Sequence, residues 1–137
     1  MTAPFTGGCA CGAIRYECTQ EPTFVGHCHC RDCQKTSGGG LGTFVMIPRA
    51  AFRLLKGKPK AYAFTGDSGK PVLREFCGEC GTPLFTDLHV APDTYVLKAA
   101  SLDDPSWLKP AMHIYTDSKQ PWSAIPSDMP SARKMPG

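Results

Sequence analysis

Seven of the eight cysteines in this 137-residue chain fall into three short clusters: Cys9-x-Cys11, Cys28-x-Cys30-x-x-Cys33 and Cys77-x-x-Cys80. Thiolates at such spacings are ligands for a borderline-soft ion, zinc before others. The set divides most naturally into a group of four and a group of three. Four thiolates close a tetrahedral site and make it structural, whereas three leave one position for water, or for a substrate oxygen or sulfur. Two zinc ions with different tasks are therefore expected.

Cys77-Gly78-Glu79-Cys80-Gly81 is a zinc-knuckle pattern whose glycines permit the tight turn that aims two sulfurs at one ion. In extended backbone Cys9 and Cys11 share a face. Pairing Cys9 and Cys11 with Cys77 and Cys80 clips the start of the chain to a distant turn, a large constraint on the unfolded state. Cys28, Cys30 and Cys33 are then the open set. Three thiolates donate much charge and weaken Lewis acidity, so the open position suits a thiol held as thiolate better than it suits peptide hydrolysis. The competing reading is a second structural zinc, closed by Cys18, a histidine or a carboxylate. Cys18 itself reads as a small buried hydrophobe. Alternation sends His27 and His29 to the face opposite Cys28 and Cys30, which makes them hydrogen-bonding residues behind the ligands. Asp32, His29 and Glu79 are candidate proton relays. Arg31, Lys35, Lys70 and Arg74 are cations available to a carboxylate. Phe44, Trp107, His113, Tyr115 and Trp122 suit either a pocket lining or the core.

Short strands must position these groups. Ile14–Cys18, Thr23–Cys28, Leu41–Ile47, Phe52–Lys56, Ala61–Thr65, Val72–Phe76, Pro83–Thr86, Thr94–Ala99 and Met112–Tyr115 alternate in polarity or are rich in β-branched and aromatic residues. Gly57-Lys58-Pro59, Gly66-Asp67-Ser68-Gly69 and Ala91-Pro92-Asp93 are turn signals. A mainly β, antiparallel domain follows. The helical candidates are Asp32–Ser37, stopped by Gly38-Gly39-Gly40, and a turn over Leu102–Trp107. A single domain over 1–122 is expected, followed by a Pro/Ser-rich tail over 123–137 that is extended on the surface or frayed.

The net charge of +3 is mild, and two thiolate-bound zincs bring it near neutral, so nothing calls for nucleic acid. No apolar stretch is long enough to span a membrane. Met1 to Gly8 lack a basic start and an apolar run, which points to a cytoplasmic, reducing setting where cysteines bind metal rather than pair.

On these motifs the chain resembles the glutathione-dependent formaldehyde-activating enzyme family, which includes the centromere protein V relatives. The matching pieces are Gly7 to Tyr16, Cys28-His29-Cys30-Arg31-Asp32-Cys33-Gln34-Lys35-Thr36-Ser37-Gly38, Phe76 to Leu84, Leu102-Asp103-Asp104-Pro105, and His113-Ile114-Tyr115 to Trp122. The resemblance implies a β-tent fold with zinc-pinned sheets and few helices. It implies a structural zinc on Cys9, Cys11, Cys77 and Cys80, and a catalytic zinc on Cys28, Cys30 and Cys33. Its reaction joins glutathione, as co-substrate, to formaldehyde and in reverse is a carbon–sulfur lyase reaction, so a small-molecule thiol and an aldehyde are the implied partners. Ala99-Ala100-Ser101 departs from relatives, which often carry Gly and Thr there. A non-enzymatic zinc-stabilised peptide-binding module is the alternative, and it requires an exposed apolar patch. A methionine sulfoxide reductase needs a reactive cysteine with a resolving partner, and only Cys18 stands outside the clusters. A third reading keeps the zinc–thiol chemistry and changes the electrophile.

Overall fold

Strand after strand alternates inward apolar and outward polar positions, and the computed structural model, which describes residues 2–136, resolves them into two sheets. β1 (Phe5–Gly8), β2 (Arg15–Cys18) and β5 (Phe52–Lys56) form an antiparallel sheet in the order β1-β2-β5. The larger sheet contains β3 (Phe24–Cys28), β4 (Gly42–Pro48), β6 (Lys60–Thr65), β7 (Pro71–Phe76), β8 (Pro83–Leu88), β9 (Thr94–Lys98) and β10 (His113–Ile114). Its order is β10-β3-β4-β9-β8-β7-β6. Every neighbouring pair is antiparallel except β10 and β3, where His113 lies opposite His27 and Ile114 opposite Cys28. The chain is mainly β, with one α-helix among the described residues, α1 (Arg31–Ser37), stopped at Gly38 in the left-handed conformation (φ 76°).

The core lies where the inward faces of the two sheets meet. Tyr16 and Cys18 on β2 pack with Val45 and Ile47 on β4, Leu84 on β8 and Leu97 on β9. Cys18 is fully buried there, and burial pushes its thiol up to about 12, in keeping with a small hydrophobe.

β1 was not expected, because Thr6-Gly7-Gly8 carries no apolar alternation. Tertiary contact makes it a strand: Gly7 pairs with Tyr16 and bridges to Leu102. A side chain at Gly7 would run into the Tyr16 hydroxyl and the Ser101 carbonyl. The Leu102-Asp103-Asp104-Pro105 motif is not helical. A 3₁₀ turn lies just before it, over Ala99–Ser101, and Leu108 N closes a turn onto Pro105 O (3.1 Å). Leu102 joins the core, Asp103 accepts both guanidinium N–H arms of Arg15 and the Thr6 hydroxyl, and Asp104 caps the Ser106 amide (3.0 Å).

Residues 130–134 run along β10 and the turn after it. His113 N donates to Pro130 O (3.0 Å), Ala132 N to His113 O (2.9 Å) and Tyr115 N to Lys134 O (3.0 Å). No helix among the described residues is long and apolar enough to cross a membrane.

Candidate metal centres

The sulfurs of Cys9, Cys11, Cys77 and Cys80 all lie within 4.8 Å of one another. Cys9 and Cys11 converge through a turn, closed by Gly12 N donating to Cys9 O (3.2 Å), and not through strand alternation as expected. Across from them Gly81, at φ 81°, donates its N–H to Cys77 O (2.8 Å), so the knuckle turn relies on the residue type that reaches this conformation without strain. Cys9 Sγ stands 3.6 Å from Cys11 Sγ, and Cys11 Sγ 3.8 Å from Cys77 Sγ. The Ile14 amide donates to Cys9 Sγ (3.2 Å), and the Thr82 hydroxyl beside Cys80 (3.2 Å) pulls that thiol down to about 5. Polar N–H and O–H groups thus already face the sulfurs that must carry charge. Four sulfurs with such support fit a closed tetrahedral zinc site.

The second group is built by one strand end and one helix start. Cys28 ends β3. Cys30 is the N-cap of α1, in extended conformation (φ −62°, ψ 152°), and its sulfur accepts the Cys33 N–H (3.3 Å). Cys33 returns within the first helical turn, and the three sulfurs lie within 4.8 Å of one another. Hydrogen bonds from Cys28, then Cys33, hold the Cys30 thiol far below its ordinary value. The same contact with Cys30 pushes Cys28 up. Cys30 is therefore the sulfur of the three that ionises most readily. Among the described residues no histidine, carboxylate or fourth cysteine joins them. The donor set fits an ion that keeps one position free.

His29 is fully buried and faces away from the sulfurs, its Nε2 2.8 Å from Nδ1 of His113; its own Nδ1 has no partner. His27 Nδ1 meets the Thr43 hydroxyl (2.9 Å). Burial keeps all three imidazoles below their ordinary value, hence neutral at pH 7. Asp32 is exposed and 3.7 Å from Arg74. Glu79 lines a separate cavity of about 460 Å³ beside Cys77, next to the four-cysteine group. Trp107 packs edge-on against Phe5 in the core (5.1 Å), and Trp122 lies over Gly40.

Beside α1 opens a cavity of about 420 Å³ whose lining includes Lys35, Thr36, Tyr62, Arg74, Phe76 and Lys98. Three cations and one carboxylate, Glu75, thus surround a partly aromatic floor. Lys98 Nζ donates to the Thr36 hydroxyl (3.2 Å). Burial lowers its ammonium, while the charges of Cys33, Cys30 and Cys28 pull it back up, so it stands within Coulombic reach of all three sulfurs. Sequence reasoning missed Lys98, which follows Leu97 in a strand with no motif around it; only the register that sets it opposite Phe44 reveals the face it occupies. Tyr115, which the sequence offers as pocket lining or core, is a further residue placed by tertiary structure. It holds a left-handed conformation (φ 56°, ψ 42°), which costs a non-glycine residue about 1–2 kcal/mol, and this breaks the alternation that would turn it away from Cys28. Its phenol feels the charges of the same three sulfurs, and burial, the largest influence on it, keeps it protonated.

A family model described as glutathione-dependent formaldehyde-activating enzyme matches residues 4–118. No curated protein matches the chain in sequence. Among solved structures, a Rhodobacter sphaeroides protein is similar, with a TM-score of 0.57 and 19% identity over 77% of this chain and 91% of that one. That likeness concerns the fold alone.

Proposed function

The chain belongs to the glutathione-dependent formaldehyde-activating enzyme family, and from that premise we propose that it makes or breaks the carbon–sulfur bond of a thiol–aldehyde adduct, S-hydroxymethylglutathione or a close analogue. The observation that supports this reading is a three-sulfur group that no fourth ligand joins among the described residues, with a cavity beside α1 whose lining carries Lys35, Arg74 and Lys98 along with Glu75. Cys28, Cys30 and Cys33 would hold the reactive zinc, and Cys9, Cys11, Cys77 and Cys80 a structural one. A zinc ion bound to three thiolates supplies a position where a substrate thiol is kept ionised at neutral pH.

The chain's own residues do the rest. Lys98 and Lys35 receive a carboxylate of the thiol substrate and orient its sulfur toward the three cysteines, and Arg74, paired with Asp32 (3.7 Å), adds positive charge to the same lining. In the forward direction the thiol gives its proton to water, the thiolate lone pair forms the C–S bond as the carbonyl π pair moves to oxygen, and that oxygen takes a proton back from water. In reverse the hydroxyl loses its proton, C=O re-forms and the sulfur leaves with the bonding pair. Tyr115, protonated and within Coulombic range of the sulfurs, donates a hydrogen bond to the oxygen where charge gathers. His29 and Asp32 are each engaged elsewhere, with His113 and Arg74. A cytoplasmic glutathione pool would supply the thiol.

Exchange NMR between free formaldehyde and its glutathione adduct tests the proposal, because the spontaneous reaction sets a measurable baseline. The zinc-loaded protein is expected to accelerate exchange. No acceleration with formaldehyde or with larger aldehydes would overturn the enzymatic reading. The binding-module reading would then take its place, since β5 and β6 expose Leu54 (44%), Leu55 (52%) and Tyr62 (61%).

Two substitutions resolve the roles. Lys98→Met should raise KM for glutathione about 10-fold and leave KM for 2-mercaptoethanol, which has no carboxylate, within about twofold. Equal changes for both thiols would remove Lys98 as the carboxylate partner. Tyr115→Phe keeps the ring and deletes the donor, so kcat should fall on the order of 10²-fold with KM unchanged. An unaltered kcat would place the oxygen elsewhere.

A further inference from the structure

We propose that Gln34 is the positioning residue of the three-cysteine site: it ties the Cys28–Cys33 loop to residues 118–120, so that the three sulfurs converge on one point. This rests on the reading of Cys28, Cys30 and Cys33 as metal ligands.

Gln34 follows the last cysteine of its cluster and is 5% exposed, unusual for a glutamine on a short surface helix. A primary amide has two donor hydrogens and a carbonyl with two lone pairs, and here all four are used. Nε2 donates to His29 O (2.7 Å) and to Ser118 O (3.0 Å). Oε1 accepts from the Arg31 guanidinium and from Gln120 Nε2 (3.0 Å). His29 O belongs to the peptide between the side chains of Cys28 and Cys30, so one of these bonds fixes the backbone that spaces two sulfurs. Ser118 O belongs to a 3₁₀ turn over Thr116–Ser118, just beyond β10. β10 in turn pairs with β3, and His29 N donates to Ile114 O (3.0 Å). A closed ring results: β3, cysteine loop, Gln34, 118–120 segment, β10 and back to β3.

No isostere can replace the amide. A carboxylate would set oxygen against the two carbonyls, and an apolar side chain would leave His29 O and Ser118 O without their donor in a buried place. The need is greater here than at the four-cysteine group. Three ligands constrain an ion less than four, so the geometry of the open site depends more on hydrogen bonds behind the ligands.

The test is cobalt and zinc titration of the whole chain, with the second site identified as the one lost in Cys30→Ser. Gln34→Met should weaken the second site about 10–100-fold and broaden its thiolate-to-cobalt charge-transfer band, while affinity at the four-cysteine site stays within about twofold. Gln120→Met removes one bond from the ring at a half-buried position and should weaken the same site about threefold. An unchanged second site, or an equal fall at both sites, overturns the proposal; should Gln34→Met not fold, Gln120→Met alone decides by the same criteria. A wild type that binds one ion only overturns the ligand reading first, and the role of Gln34 with it.

Discussion

Cys30→Ser is expected to bind one zinc where the wild type binds two, to keep the far-ultraviolet circular dichroism of the folded chain, and to lose adduct exchange by more than about 10³-fold. Cys30 is the sulfur that ionises most readily: the thiols of Cys28 and Cys33 lie within 4.8 Å of it, and it accepts the Cys33 N–H from the first turn of α1. A serine there is a poorer, harder donor that stays protonated, and two remaining thiolates cannot compete for zinc. The fold should survive, because Cys30 is only half-buried and α1 retains the Gly38 cap and the Gln34 contacts. Metal analysis by mass spectrometry and exchange NMR on one sample give the answer. Loss of both zincs together with the fold would make the second cluster structural. Retained exchange would separate the chemistry from these sulfurs altogether.

Cys77→Ser should be worse for the protein and uninformative about the reaction, because the chain is expected not to fold. Structural zinc in small domains contributes about 10–16 kcal/mol. Whole domains are stable by about 5–15 kcal/mol. Removing one of four thiolates therefore consumes most or all of the margin. The location amplifies this: Cys77 is 1% exposed, and the cluster joins the turn after β1 to the turn between β7 and β8, linking the two sheets. Without the ion the three remaining thiols take up protons and no longer hold the two turns together. The expected signs are a featureless near-ultraviolet spectrum and collapsed NMR dispersion. A graded chelator titration should show the same order in the wild type, exchange activity failing before the fold. A Cys77→Ser protein with wild-type thermal stability would remove the structural role from the first cluster.

Much of the architecture was legible from residue order. The strand and turn pattern from Ile14 to Ala99 anticipated β2 to β9 to within a residue or two, because alternation and turn chemistry are local properties. β1 was not, since Gly7 and Gly8 have no side chains to alternate and become a strand only against Tyr16 and Leu102. The parallel seat of β10 on β3 was likewise hidden, because nothing in His113-Ile114 specifies its partner or its direction.

The same division runs through the candidate site. Sequence alone determined which sulfurs could share an ion, because CxC, CxCxxC and CxxC spacings bring their own ligands together over a few bonds, and the closed and open groups follow from counting donors. What only the tertiary structure decided is everything around those sulfurs. Lys98 reaches the cluster through strand register, Tyr115 through a left-handed residue held by Lys134 O, and the amide of Gln34 through a turn over eighty residues away. These positions depend on which distant segments pack against one another, and such choices are made by the burial of the whole chain, not by the spacing of neighbours within it.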